Sequence, residues 1–242
     1  MSVEPTKMPV PSAEQFSKHL ALLCRLVSRS GWSDLGASHM SVRVGSNNGF
    51  LINPRGHFLG DINPDMLLHS GLDSPGCRNK SDFEASVGVE THSEIYASRL
   101  DVHCIIHTHT TASIAVATQR EGLRMYSIHA AMFYQRLGFY RAKIGENEAK
   151  AWTQALKTYN AMLLCHHGML VCGRNAPEAF VRLHLLQKAC EEQLACQNSG
   201  AEYFTLDSDL CTAISEQTER RLSDHANTVW GGLISSLGVT FK

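Results

Sequence analysis

The chain has 242 residues, a length that suits one large domain, and its 43% apolar and 19% charged residues are ordinary for a globular protein. The formal net charge is -1 and no long basic run occurs, which argues against binding to nucleic acid or to an anionic membrane surface. Neither a signal-peptide core nor eighteen consecutive apolar residues can be found. We therefore expect a cytoplasmic protein without a membrane span.

The chain has eight cysteines, and none forms a CxxC pair. A thiolate zinc site or a redox motif is therefore not indicated. Five of them lie in apolar, periodic segments, where small core residues are expected, namely Cys24, Cys104, Cys165, Cys172 and Cys190. Free thiols of this kind are typical of a reducing compartment.

The first predicted element is a helix that begins at Ser12, which forms a capping box with Gln15, and that ends at Gly31. Residues 39–44 and 50–53 predict two short strands of a hairpin. A polar stretch with proline and glycine at residues 72–83 then predicts a surface loop.

The second part of the chain mixes helices and strands. Thr91 and Glu94 form a second capping box, which predicts a short helix. Further predicted elements are a strand at 102–109, helices at 111–118 and 146–159, strands at 162–165 and 169–172, a helix from Asn175 to about 198, and two helices within 209–237. No repeat or linker divides the chain. We predict one α/β domain over residues 1–242, with a tail at 1–11 and C-terminal helices at 207–242.

The thirteen histidines exceed what packing requires, and several are clustered. His107 and His109 stand two apart in a predicted strand, so both point to one face with their Cα atoms roughly 6 to 7 Å apart. The pair can bind one metal ion, although a histidine in a strand is often a hydrogen-bonded core residue. His166 and His167 end another apolar strand, before Gly168. A third imidazole would complete a three-ligand site with an open position, but spacing alone does not bring residues 109 and 167 together.

Several segments resemble signature motifs of the class II aldolase/adducin family, in the right order from about residue 15 to 197. These are residues 99–110 ("R-P-D-V…HTHT"), 164–168 ("NHG" or "HHG"), the helical segment 175–193, and the hairpin segments 38–43 and 50–56. The resemblance implies a three-layer α/β/α domain with a central, mostly antiparallel sheet. It also implies a homotetramer with active sites near subunit interfaces.

By position, the resemblance makes His107, His109 and His167 the ligands of a divalent metal ion. Zinc is the expected metal, while iron, manganese and nickel also suit three imidazoles. In the sugar-phosphate aldolases of the family, zinc polarises the substrate carbonyl and stabilises an enediolate after carbon–carbon cleavage.

The sequence departs from the aldolase pattern at three places. The family's Pro-Ser-Ser-Glu falls on residues 85–88, so its catalytic glutamate has become Gly88. The Gly-Asn phosphate-binding signature has become Ser38-His39, and the "TPSG" turn has become residues 53–56. These changes resemble the bacterial adducin-like branch. They predict that the metal is retained while phosphate binding and the usual base are lost.

Five further residues are candidates for the site. His129 and Glu90 are candidate acid/base groups, since an imidazole can move protons near neutral pH. Arg55 is a candidate for binding a substrate carboxylate, and His39 and His92 are candidates for lining the substrate site. Each has a plain structural alternative as a packed, capping or solvated residue.

Three functional hypotheses follow. The first is a metal-dependent lyase that acts by aldol cleavage or decarboxylation on a small oxygenated, non-phosphorylated acid or sugar-like substrate. A non-haem iron oxygenase on the same fold is the second, because a fold does not fix the reaction. A non-catalytic adducin-like interaction module is the third, and retention of all three histidines favours an enzyme over it.

Overall fold

The computed structural model describes residues 12–45, 49–72 and 88–238. The predicted loop at 72–83 lies outside these residues apart from its first residue, as do residues 85–87 of the altered family motif.

A seven-stranded sheet forms the centre of the described part of the chain. The strands are β1 His39–Val44, β2 Gly49–Ile52, β3 Leu68–Gly71, β4 Cys104–Thr108, β5 Gly138–Tyr140, β6 Ala161–Leu164 and β7 Gly168–Gly173. Their order is β3-β2-β1-β4-β7-β6-β5. Neighbours are antiparallel except β5 and β6, which are parallel. The predicted mostly antiparallel sheet is confirmed.

Helices cover both faces of the sheet. They are α1 Ala13–Arg29, α2 Val89–Ser98, α3 Thr111–Thr118, α4 Ile128–Ala131, α5 Glu148–Leu156, α6 Ala176–Asn198 and α7 Ser208–Leu237. Successive side chains along each strand point to opposite faces of the sheet and so enter two different cores. Ile106 packs with α1, α3 and α6, whereas Ile105 packs with α2 and α5. The domain therefore has the predicted three layers. No helix in the described segments is long and apolar enough to span a bilayer.

The predicted helix boundaries with clear caps are confirmed. Ser12 and Gln15 form the capping box of α1, and Gly31 follows this helix at φ +74°, a conformation that favours glycine. The Asn175 side chain accepts a hydrogen bond from the Glu178 N–H at the start of α6. Four of the cysteines predicted for the core are buried and free, whereas Cys165 is half-buried.

Two predictions about helices were wrong. Thr91 and Glu94 do not cap α2, because the helix begins earlier, at Val89, and its first turn is closed by the His92 N–H, which donates to the Gly88 carbonyl. The C-terminal segment forms one helix of 30 residues rather than two. It continues through a pair of glycines because Trp230 and Leu233 on either side pack against the core, and packing outweighs the weak helix propensity of glycine.

Candidate metal centre

Three histidines converge at one end of the central strands. His107 lies on β4 and His109 directly follows this strand, so the Nε2 atoms of the two rings come within 2.8 Å of each other. The His167 ring lies 5.0 Å from each of the other two, measured between ring centroids. Because the three nitrogens that could bind a metal lie within 4.8 Å of one another, one ion can contact all three imidazoles.

A tight turn between β6 and β7 brings His167 to this position. His166 has φ +62° and Gly168 has φ +152°. Residues other than glycine rarely adopt such positive φ angles. A Cβ atom at Gly168 would overlap the Thr108 carbonyl oxygen, so the turn packs directly on the end of β4. This packing of β7 on β4 is the long-range contact that spacing along the sequence cannot supply.

The Nδ1 atoms of the three rings face oxygen acceptors. His107 Nδ1 lies 3.0 Å from the Met169 carbonyl oxygen and donates to it. His109 Nδ1 lies 3.3 Å from a carboxylate oxygen of Asp34, within ion-pair distance but outside hydrogen-bonding alignment. His167 Nδ1 lies 3.9 Å from Glu148. An acceptor that bonds to Nδ1 orients a histidine ligand and leaves Nε2 for the metal, as the Met169 carbonyl does for His107.

The rings are held in the neutral form that a metal requires. Burial lowers the pKa of His107 well below 6.5, and neighbouring histidines add to this effect. The pKa values of His109 and His167 are also lowered, chiefly by burial. Trp152 packs against His107 and His167 at ring distances of 5.1 and 5.3 Å and closes one side of the cluster. The three side chains therefore suit a divalent transition metal.

Of the remaining predicted site residues, His39 and His92 lie beside the triad. His39 is directly opposite His107 in the β1–β4 ladder, and the two ring centroids are 4.8 Å apart. Its Nδ1 lies 2.9 Å from His92 Nε2, and His92 Nδ1 lies 2.6 Å from the Ser41 hydroxyl. Burial lowers the pKa of His92 to about 3.

The other three candidates are Arg55, Glu90 and His129. Arg55 is an exposed residue of the turn after β2, and Glu90 is exposed in the first turn of α2. His129 lies on α4, where its Nδ1 is 2.7 Å from a carboxylate oxygen of Glu192. Within residues 12–45, 49–72 and 88–238, we find no hydrogen bond or ion pair that connects any of these three to the triad. Their catalytic or binding roles stay predictions.

Two cavities open beside the metal-binding cluster. One of about 480 Å³ is lined by His109 and Asp34, with Trp32 and Gln187 on its other walls. The second, of about 460 Å³, lies next to His167 and is lined by Tyr140 and other residues. A small molecule can therefore approach the cluster from two sides. Sequence analysis missed Asp34, Glu148 and Trp152, which have no motif of their own.

Comparisons with known proteins identify the family of this chain. Residues 18–194 match the family model described as the class II aldolase and adducin N-terminal domain. A candidate class 2 aldolase protein of Pseudomonas aeruginosa is 37% identical over 188 residues, which cover 76% of this chain and 72% of that protein. Human beta-adducin is 31% identical over 216 residues, covering 86% of this chain and 29% of adducin.

A solved structure extends the likeness to the fold. The crystal structure of an aldolase II superfamily protein from Pseudomonas syringae superimposes with a TM-score of 0.83 at 28% identity, covering 94% of each chain. The sequence motifs and the sheet topology agree with these comparisons. The chain belongs to the class II aldolase and adducin family.

Proposed function

We propose that this protein is a metal-dependent lyase that breaks a carbon–carbon bond, by aldol cleavage or decarboxylation. The substrate would be a small oxygenated, non-phosphorylated acid or sugar-like molecule. The observation that carries the proposal is the convergence of His107, His109 and His167, whose candidate ligand nitrogens lie within 4.8 Å of one another. A protein that acted only as a scaffold would not need three buried or half-buried imidazoles aimed at one point.

The triad would hold one divalent ion, for which we propose zinc, with iron, manganese or nickel as alternatives that imidazole also suits. The metal would supply a Lewis acid that withdraws electrons from a substrate carbonyl. The chain's own contribution is orientation: Met169 and Asp34 face the Nδ1 atoms of His107 and His109, and Trp152 excludes water from one side of His107. We further propose that the protein is a cytoplasmic homotetramer.

A non-phosphorylated substrate is supported by what surrounds the triad. Position 88 is a glycine without room for a side chain, because a Cβ there would overlap the His39 ring. Among the residues that the structure describes, those on this side of the site are the neutral imidazoles of His39 and His92, without a cationic group that would select phosphate. The loss of the family's phosphate-binding signature at Ser38-His39 points in the same direction.

The likeness to adducins supports a second candidate, a non-catalytic interaction module. The two candidates differ in a measurable way. A lyase of this type must weaken a C–H or C–C bond next to a carbonyl group. Its activity must also depend on the three histidines. An interaction module has no such requirement.

The test is proton exchange in D₂O, followed by ¹H NMR, with the simple donors pyruvate, hydroxypyruvate, glycolaldehyde and dihydroxyacetone. We expect the zinc-loaded protein to exchange the α-protons of at least one donor, and we expect the His107→Ala/His109→Ala variant not to do so. Exchange no faster than with free zinc would contradict the aldol-cleavage form of the proposal. Oxygen consumption by the iron-loaded protein with these compounds would favour the oxygenase instead.

A further inference from the structure

A chain of buried polar side chains runs from the triad into the protein. It begins at His39, continues through His92 and Ser41, and ends at Tyr96, with successive atoms 2.9, 2.6 and 2.8 Å apart. All four residues are buried. Since each hydrogen bond needs one donor and one acceptor, the direction of the bond at one end fixes the direction of every other bond.

The hydrogen bond that the Tyr96 hydroxyl donates sets the direction of the hydrogen bonds in this chain. This hydroxyl has two acceptors within reach, the Ser41 oxygen at 2.8 Å and the His103 carbonyl at 3.5 Å. The shorter distance is normal for an O–H···O hydrogen bond and the longer one is outside the usual range. Tyr96 therefore donates to Ser41. Burial raises the pKa of Tyr96 well above 10, so the phenol keeps the proton that it donates.

The remaining bonds follow from this first one. Ser41, whose oxygen accepts from Tyr96, donates its own proton to His92 Nδ1. A neutral His92 then carries its proton on Nε2 and donates it to His39 Nδ1. A neutral His39 must consequently carry its proton on Nε2. The opposite direction would leave the Tyr96 proton with only the 3.5 Å contact to His103.

The Nε2 atom of His39 is the ring nitrogen that the hydrogen-bonded chain leaves free. The Nδ1 and Cε1 atoms lie against Gly88, where they occupy the space of a side chain, and Nδ1 is bonded to His92. Among the described residues, no protein group bonds to Nε2, and the residue keeps 6% of its surface exposed. The ring packs 4.8 Å from His107. An N–H group at Nε2 is therefore available to a ligand bound at the neighbouring triad.

We propose that His39 is a substrate-contacting hydrogen-bond donor, which presents Nε2–H to an anionic or carbonyl oxygen of the small molecule bound at the triad. This inference rests on the proposed function, because it assumes a ligand at the three histidines. His92, Ser41 and Tyr96 act as positioning residues that fix the direction of the His39 proton. A preorganised donor of this kind stabilises oxygen atoms on which negative charge develops.

The first test is ¹⁵N NMR of the zinc-loaded protein labelled at histidine, with His39 assigned from the signals lost in His39→Gln. We expect a protonated Nε2 and an unprotonated Nδ1 for His39, and the same pattern for His92. A protonated Nδ1 on His39 would overturn the proposal. This measurement does not depend on catalysis, and the metal-free protein gives the same information if no metal binds.

The second test is oxalate binding to the cobalt-loaded protein, followed by its visible spectrum. We expect His39→Phe to bind oxalate about 10- to 100-fold more weakly, as for a lost hydrogen bond to a charged group. His39→Gln, whose amide is also a donor, should recover part of the affinity, and both variants should keep their cobalt. Equal affinity in His39→Phe and the wild type would contradict the donor role. Loss of cobalt from His39→Phe would indicate that His39 is a metal ligand and would overturn the proposal. Failure of the wild type to bind cobalt would instead contradict the proposed function.

Discussion

The imidazole of His39 occupies the space that a side chain at Gly88 would need, because a Cβ atom at Gly88 would overlap the His39 ring. Two departures from the aldolase pattern, a histidine at position 39 and a glycine at position 88, are therefore one structural change. The glycine makes room for a fourth imidazole beside the metal-binding triad.

This relationship predicts the effect of Gly88→Ala. The added methyl group must displace the His39 ring or shift the start of α2, and overpacking of this kind costs about 1–3 kcal/mol. We expect a loss of that size in the free energy of unfolding, measured in urea, together with weaker oxalate binding. Gly231→Ala is the matched control, since a Cβ there meets no atom within 4 Å and alanine favours a helix. Equal stability of Gly88→Ala and the wild type would show that the His39 ring is not confined.

The carboxylate beside His109 predicts an effect on metal affinity. Asp34 lies 3.3 Å from His109 Nδ1, whereas Glu148 lies 3.9 Å from His167 Nδ1. Loss of an outer carboxylate typically weakens metal binding by 10- to 100-fold, and both side chains are partly exposed. We expect Asp34→Asn to weaken zinc binding by about 10-fold and Glu148→Gln to weaken it less, in competition titrations with a chelator. The reverse order would contradict this account of how the ligands are oriented.

Burial of His92 predicts a dependence of stability on pH. Its pKa is lowered to about 3 in the folded protein from 6.5, so below pH 6.5 the unfolded chain binds a proton that the folded chain does not. The free energy of unfolding should fall with pH from 6.5 toward 3, by about 1.4 kcal/mol per pH unit for this ring. Urea unfolding of metal-free protein between pH 7 and 5 should show a shallower slope for His92→Gln, by a difference that approaches this amount toward pH 5. His225→Gln, which removes an exposed imidazole of α7, is the control. If the dependence of the free energy of unfolding on pH is the same in His92→Gln and the wild type, His92 is not a neutral, buried group in the folded protein.

A partly buried ion pair joins the C-terminal helix α7 to α6. Arg182 of α6 is 6% exposed, and it bonds to Glu219 of α7 at 2.5 Å and to the Cys172 carbonyl at 3.1 Å. Arg182→Met leaves both acceptors without this partner, so we expect a loss of about 2–4 kcal/mol in the free energy of unfolding. Arg220→Met, which removes an exposed pair with Glu216, should cost less than about 1 kcal/mol. Similar losses in the two variants would mean that the Arg182 pair does not hold α7 in place.

The sequence was most informative where the signal is local. The caps at Ser12 and Asn175 set the starts of α1 and α6, and short continuous runs of apolar residues located β4 and β7. It was least informative where long-range packing decides. Gly88, just before α2, has no room for a side chain because of His39, which is 49 residues away in the chain, and α7 stays whole because Trp230 packs on the core.

The same limit applies to the site. The resemblance to the family assigned the three histidines, and the fold brings them together. Asp34 and Trp152 carry no motif, because their roles come from proximity to the triad. The direction of the hydrogen bonds from Tyr96 to His39 depends on distances that no sequence pattern contains.

The most direct test of the metal centre is elemental analysis of the protein purified without added metal and again after reloading. We expect about one zinc or other transition ion per chain in the wild type and in His225→Ala, as for a single three-histidine site. The His107→Ala/His109→Ala variant should contain almost none. A wild-type protein that stays metal-free after reloading, or a double variant that keeps its metal, would contradict a metal centre at His107, His109 and His167.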